Sequence, residues 1–300
     1  MLLHTAAIKV TASMTLSQAL TEATAQLAAS EHLRDQARRD AELLLLHTLQ
    51  ISRVTLLAHP TRELTAAQQT SYANTIRRRL NHEPIQYIIG QQEFYGLNFN
   101  VTPAVLIPRP ETEHLVEAIL KLLRPNQPLK IADIGTGSGA IAIALSVHLP
   151  QAAITALDIS TDALAIARTN ATEHHVADRI RFLQSDLLSA VGREAETFDA
   201  IVSNPPYIPT SDRATLHPQV RNHEPATALF AGATGLDIYG RLIPEARTAL
   251  KPGGLLALEI GHGQQADLTR LLATWQEVSF LNDLQQIPRV ALARRPPDSL

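Results

Sequence analysis

The stretch Lys130-Ile-Ala-Asp133-Ile134-Gly135-Thr136-Gly137-Ser138-Gly139-Ala140-Ile-Ala-Ile-Ala-Leu145 decides the fold. Its opening apolar residues read as a buried strand, its spaced glycines as a turn, and its small apolar tail as a helix. Glycine accepts positive φ and lets a ligand approach the backbone closely. The helix that follows offers unpaired N–H groups and the positive end of its dipole. Strand, glycine turn and helix in that order begin an α/β sheet that binds ligands at its strand tips. Alone, the glycines also satisfy the dinucleotide pattern G-x-G-x-x-[GA], with Ala140 as the third small residue.

Further strands follow. Ala153–Leu157 ends in Asp158, 23 residues after Gly135, an acid placed to take both hydroxyls of a ribose. The alternative for Asp158 is a helix cap in Asp158-Ile-Ser160. Ile180–Leu183 runs into Gln184-Ser185-Asp186-Leu187, where Asp186 is a candidate acceptor for an adenine amino group and Leu187 packs beside the ring. The bland alternative for Asp186 is an exposed loop acid. The apolar run Ala200-Ile-Val202 leads to Ser203-Asn204-Pro205-Pro206-Tyr207. Two prolines fix φ and remove two backbone donors, and Asn204 is held extended by the proline after it. What remains is a shelf of acceptors, the Asn204 side-chain oxygen and nearby carbonyls, with an aromatic face from Tyr207. Such a shelf suits a planar NH2 group, two acceptors meeting two protons. The same tetrapeptide also reads as a plain proline turn.

Together these motifs resemble the class I S-adenosylmethionine-dependent methyltransferases, in which Asn-Pro-Pro-Tyr marks enzymes acting on a planar nitrogen. A longer resemblance is carried by Pro84-Ile-Gln-Tyr-Ile-Ile-Gly90, Glu93-Phe-Tyr-Gly-Leu97 and Val105-Leu-Ile-Pro-Arg-Pro-Glu-Thr-Glu113. Arg221–Leu229, Gly235-Leu236 and Glu259-Ile-Gly-His-Gly-Gln264 continue it downstream. Over roughly residues 15–295 the chain is similar to the peptide chain release factor glutamine methyltransferases, the PrmC/HemK family. One departure is Gln286, where the family usually carries glycine.

The resemblance implies a Rossmann-like class I methyltransferase domain, α/β in class, preceded by a small all-helical bundle and a linking β-hairpin. It implies S-adenosyl-L-methionine on Gly135, Thr136, Gly137, Ser138, Gly139, Asp158, Asp186, Leu187 and Asn204, with S-adenosyl-L-homocysteine as product. Asn204, Pro205 and Tyr207 are the implied catalytic residues, and with Pro206 they form the substrate shelf. The implied acceptor is the glutamine of the Gly-Gly-Gln loop of class I release factors. A ribosomal-protein glutamine and adenine N6 of DNA are the alternatives, and an NAD-binding module is the reading from another class.

Length suggests two domains, expected at 1–85 for the bundle, 86–108 for the hairpin and 109–300 for the methyltransferase. Thr15-Leu-Ser-Gln18 and Thr65-Ala-Ala-Gln68 read as capping boxes. Leu16, Ala19, Leu20, Ala23 and Leu27 form one apolar stripe, a second helix is expected near Ala37–Leu49, and Tyr72, Ile76 and Leu80 share a face of a third. Residues 1–85 carry nine Lys/Arg and seven Asp/Glu, while the rest carry 17 and 22. Arg77-Arg78-Arg79 reads as a solvated helix end, or alternatively as a contact for an acidic protein or RNA partner. Arg109 and Glu113 are expected to pair beside the site; a plain helix start is the alternative. The net charge of −3 argues against a nucleic-acid groove. Zero cysteines fit a reducing compartment, Lys9 alone is too little base for a transit peptide, and no apolar run is long enough for a membrane span. A cytoplasmic monomer without metal is expected.

Overall fold

The computed structural model describes residues 13–123, 126–191 and 198–297; Lys9 and the ends of the expected first and last domains lie outside them. The chain divides into two compact units, Met1–Ile89 with His217–Asn222, and Gly90–Leu216 with His223–Leu300.

The first unit is helical. Strand β1 (Met14–Thr15) leads into α1 (Leu16–Ala28), α2 (Ala37–Leu49) and α3 (Arg53–Ala58). Strand β2 (Glu63–Leu64), antiparallel to β1, leads into α4 (Ala66–Leu80) and α5 (Ile85–Ile89). Both capping boxes form: Thr15 Oγ1 accepts from Gln18 N and Gln18 Oε1 from Thr15 N, and Thr65 and Gln68 repeat the exchange. This satisfies two orphan donors at each helix start. The α1 stripe is buried as expected at Leu16, Ala19, Leu20, Ala23 and Leu27. On α4 the buried residues are Tyr72, Ile76 and Arg79. Arg79 is therefore no part of a solvated face: its Nε donates to the buried Asp40 at 2.7 Å, and its Nη1 to Glu83 O and Gln219 Oε1. Arg78 forks onto Glu83 at 2.6 and 2.8 Å, and Arg77 reaches Asn74.

The second unit opens with the hairpin β3 (Gln91–Phe94) and β4 (Leu97–Asn100). It starts later than residue 86 because Pro84-Ile85 begins a helical turn, with Tyr87 N and Ile88 N donating to Pro84 O. Tyr95 and Gly96 both have positive φ, the two-residue turn whose twist matches paired strands. Then come α6 (Pro110–Leu122), β5 (Lys130–Ile134), α7 (Ala140–His148), β6 (Ala153–Asp158), α8 (Thr161–Glu173), β7 (Ile180–Gln184) and β8 (Phe198–Ser203). After α9 (Pro218–His223), which enters the helical unit, follow α10 (Asp237–Ala249), β9 (Leu250–Glu259), α11 (Gln265–Leu271), β10 (Gln276–Asn282) and β11 (Pro288–Arg294).

Seven strands form one sheet in the order β10-β11-β9-β8-β5-β6-β7. The run from β9 to β7 is parallel, and β11 and β10 finish it antiparallel. One core, with Leu115, Ile119, Ile143, Leu145 and Phe99, covers one face. The other, with Tyr239, Leu242, Leu268 and Trp275, covers the opposite face. This is the expected Rossmann-like α/β domain after a helical bundle and hairpin. The tips of β5, β6 and β8 lie side by side, with Ile134 paired to both Leu157 and Ser203, so the glycine turn, Asp158 and Asn204 open at one edge.

Candidate active site

The glycine turn is built on strain that only glycine avoids. Gly135, Gly137 and Gly139 have φ of +70°, +56° and +82°. A Cβ on Gly139 would stand 2.9 Å from Ile143 Cδ1 and 3.2 Å from Ala167 Cβ, so that glycine lets α7 and α8 pack. A Cβ on Gly135 or Gly137 would meet nothing within 4 Å, leaving open space above the turn. Gly135 N and Thr136 N donate to Leu157 O at 2.8 and 2.9 Å. The buried Ser138 receives the Asn170 amide on its carbonyl at 2.9 Å.

Asp133 holds the turn from below. Its Oδ2 accepts from Thr136 Oγ1 at 2.6 Å and Ala142 N at 3.1 Å, and burial pushes its carboxyl up to about 7. An acid inside an apolar strand, two residues before a glycine, was the available sequence signal for that role. Asp158 stands at the tip of β6, its Oδ2 accepting from Gly137 N at 2.8 Å and Oδ1 from Ser160 N at 2.9 Å. The helix cap of α8 is Ser160, whose side chain accepts from Ala163 N. Burial raises the Asp158 carboxyl, and the backbone N–H groups oppose the rise. Asp186 is exposed and pairs with Arg241 at 2.7 Å, and Leu187 beside it is half-buried with φ of +51°.

The segment Asn204–Tyr207 leaves the tip of β8, the strand beside β5. Ser203 Oγ donates to Ile134 O at 2.7 Å, tying the end of β8 to β5. Asn204 is half-buried and Pro205 buried. Asn204 Nδ2 donates to Thr112 Oγ1 at 3.0 Å. Tyr207 OH donates to Glu259 Oε1 at 3.3 Å, and burial raises the Tyr207 phenol far above its ordinary value. Gln264 Nε2 donates to Tyr207 O at 3.1 Å and Gly235 O at 3.3 Å, while its Oε1 accepts from Gly261 N at 2.9 Å. A Cβ on Gly235 would lie 2.3 Å from Tyr207 O, so that glycine lets the two loops close on each other.

Arg109 does not pair with Glu113. Its Nη2 takes both oxygens of the buried Glu224 at 2.6 and 2.7 Å, because a carboxylate taken out of water needs a charged partner. Glu113 Oε1 instead accepts from Tyr95 N at 2.9 Å, steadying the hairpin turn.

A family model described as the PrmC N-terminal domain matches residues 18–90, and one described as a methyltransferase small domain matches residues 112–219. A release factor glutamine methyltransferase of Koribacter versatilis is 45% identical over 94% of this chain and 99% of its own. The chain belongs to the release factor glutamine methyltransferase family. Another member, from Moorella thermoacetica, is 46% identical over 94% of this chain and 99% of its own. Among solved structures, a methyltransferase from Pyrococcus furiosus covers 75% of this chain and 99% of its own, at a TM-score of 0.50 and 18% identity. A 16S rRNA methyltransferase of T. thermophilus, in complex with AdoMet and guanosine, covers 68% and 49%, at a TM-score of 0.53 and 19% identity. Both likenesses concern the fold.

The residues of this family member fit S-adenosylmethionine on their own geometry. With nothing within 4 Å of a Cβ on Gly135 or Gly137 a ligand can approach that backbone closely, and the Asp158 carboxylate at the neighbouring strand tip is of the type that accepts hydroxyls. Thr112, Glu224, Glu259 and Gln264 are the site-edge residues that motif reading left without a role. Among the described residues no group of His, Asp and Glu is placed to hold a metal ion, and no helix is long and apolar enough to cross a membrane.

Proposed function

We propose that this chain transfers the methyl group of S-adenosyl-L-methionine to the side-chain amide nitrogen of the glutamine in the Gly-Gly-Gln loop of class I peptide chain release factors. One observation carries the reading: Asn204 spends its Nδ2 on Thr112, which leaves Oδ1 as its free end. An amide nitrogen is a weak nucleophile because its lone pair is delocalised into the carbonyl. Acceptance of its two N–H groups by Asn204 Oδ1 and the Pro205 carbonyl holds the nitrogen in line and stabilises positive charge as it forms. Tyr207 packs on the amide plane; its raised phenol stays protonated and is no base. The cofactor supplies an electrophilic methyl on a cationic sulfur. Release of the amide proton to water follows transfer, so the site requires no strong base. Asp186 is the proposed adenine contact, reached by exchange of its exposed Arg241 partner.

The test offers labelled cofactor to the purified chain with a class I release factor, its Gln→Ala variant, ribosomal proteins and DNA. Label on the parent factor alone is expected, and Asn204→Ala should lower kcat by roughly 10²–10³ while cofactor binding changes far less. Label on DNA, or on the Gln→Ala factor as strongly as on the parent, overturns the reading.

A further inference from the structure

An aromatic ring that packs on the substrate amide helps most when its place is set before the substrate arrives. Tyr207 is half-buried and lies where three separate stretches of the sheet unit meet. Ile208 N donates to Leu229 O at 2.9 Å and Ala231 N to Ile208 O at 3.0 Å, so the segment after the shelf runs beside the chain leading to α10. The third stretch is Gly261–Gln264, between β9 and α11. We infer that Gln264 is a positioning residue that seats the Tyr207 ring for methyl transfer. The inference rests on the reading of Tyr207 as the wall against the substrate amide.

The hydrogen bonds leave the Gln264 side chain one arrangement. Gly261 N is a donor and requires an oxygen, which Oε1 supplies at 2.9 Å. Tyr207 O and Gly235 O are acceptors and require an NH2, which Nε2 supplies at 3.1 and 3.3 Å. Turned over, the amide would set its NH2 against an N–H and its oxygen against two carbonyls. Gln264 is 8% exposed, so little water is at hand to replace a lost partner. Its main chain is held as well, Gln264 N donating to Gly261 O and Leu268 N to Gln264 O. One amide thus ties together the shelf, the loop before α10 and the loop after β9.

Packing around the ring is as close as the hydrogen bonding. A Cβ on Gly261 would stand 3.0 Å from Tyr207 Cδ2 and 2.8 Å from Gln264 Oε1, so the Gly261 main chain lies against the ring edge. Gln264 therefore holds Tyr207 twice. Nε2 takes its carbonyl, and Oε1 fixes the residue on which its ring rests. At the far end of the ring, Tyr207 OH reaches Glu259 Oε1 at 3.3 Å, which is long for a hydroxyl–oxygen bond. The seat of the ring is set from its main-chain side. Both Nε2 protons are spent on carbonyls, so Gln264 keeps no donor for the substrate and acts through Tyr207.

The experiment measures kcat for a Gly-Gly-Gln peptide at saturating cofactor, beside the dissociation constant of S-adenosylhomocysteine. The variants are Gln264→Met, Gly261→Ala, Tyr207→Ala, and each of the first two combined with the third. Gln264→Met keeps the length and removes both polar ends. It should lower kcat about tenfold or more, as an ångström-scale misplacement does, with cofactor affinity within about twofold. Gly261 does not have positive φ, so Gly261→Ala burdens only its contacts with Gln264 and Tyr207 and should lower kcat about threefold. In the Tyr207→Ala background both substitutions should cost less than about twofold, because the ring they seat is gone. Losses that multiply in the double variants, or wild-type kcat in Gln264→Met, overturn the inference and leave the methyl-transfer reading intact. If Gln264→Met fails to bind the cofactor, Gly261→Ala with and without Tyr207→Ala decides by the same rule. Undiminished kcat in Tyr207→Ala removes the aromatic wall and this inference with it. A wild type that methylates no Gly-Gly-Gln peptide overturns the substrate reading itself.

Discussion

Asp158 accepts backbone hydrogen bonds on both carboxylate oxygens, from Gly137 N on Oδ2 and from Ser160 N on Oδ1. It is thereby held rigid, and an oxygen with a second lone pair can accept again, which supports the proposed ribose contact. Asp158→Ala should remove two charge-assisted hydrogen bonds worth roughly 1.5–3 kcal/mol each and release Gly137. Titration of S-adenosylhomocysteine should show affinity at least about tenfold weaker; an unchanged dissociation constant refutes this placement. The sequence makes Asp158 visible because its strand has a recognisable tip and a glycine turn precedes it at a recognisable spacing. Thr112 and Glu259 are not visible that way. Thr112 meets Asn204 across 92 positions and Tyr207 meets Glu259 across 52, distances at which residue type carries no pairing information. Arg109 shows the same limit from the other side. Its neighbour Glu113 is the natural local partner, yet the buried Glu224, 115 positions away, needs the charge more.

Elements with a clear period or cap are legible. The α1 stripe, the two capping boxes and the alternating glycines map directly onto structure, since each is a local rule that tertiary packing reinforces. Helix α5 is not: Ile85-Gln-Tyr-Ile-Ile89 has strand-like residues, and burial of Tyr87 and Ile88 overrides their propensity. The hairpin of β10 and β11 joins both cases. Gln286, at the position where glycine is expected, has φ of +63°. Asp283 compensates by accepting from Gln285 N, Ile287 N and Arg289 Nε at 2.8, 3.0 and 3.0 Å. A left-handed non-glycine residue costs about 1–2 kcal/mol, and glycine returns roughly 0.5–1 kcal/mol of that through the entropy of the unfolded chain. Gln286→Gly should thus raise stability by about 0.5 kcal/mol, read as a small rise in the urea midpoint at constant m-value. A fall of that size would show that the turn relies on the glutamine itself.

At the scale of the whole molecule, three apolar clusters divide between the two units. Leu16, Leu27, Leu44, Leu45, Tyr72 and Ile88 form a core belonging to the helices, while the two faces of the sheet are filled by residues from Phe94 onward. The glycine turn, Asp158, Asn204, Thr112 and Glu259 all lie in the second unit. Each unit therefore has the requirements of a separate fold, and their net charges, +3 over residues 1–89 with 217–222 and −6 over the rest, suit different surfaces. We propose that the helical unit recognises the protein substrate and the sheet unit performs the transfer. Residues 90–300 expressed alone should then bind S-adenosylhomocysteine within about threefold of the full chain, because no ribose or shelf contact is removed. Transfer to a short Gly-Gly-Gln peptide should persist, whereas kcat/KM for the intact release factor should fall about 100-fold, the equivalent of about 2.7 kcal/mol of lost binding. Segment 217–222, whose Gln219 bonds Arg79, loses its partners in the truncated chain, so a modest drop in kcat on the peptide is consistent with independence. Failure to bind cofactor would show that the sheet unit needs the helices to fold, and undiminished kcat/KM on the whole factor would remove the bundle from recognition.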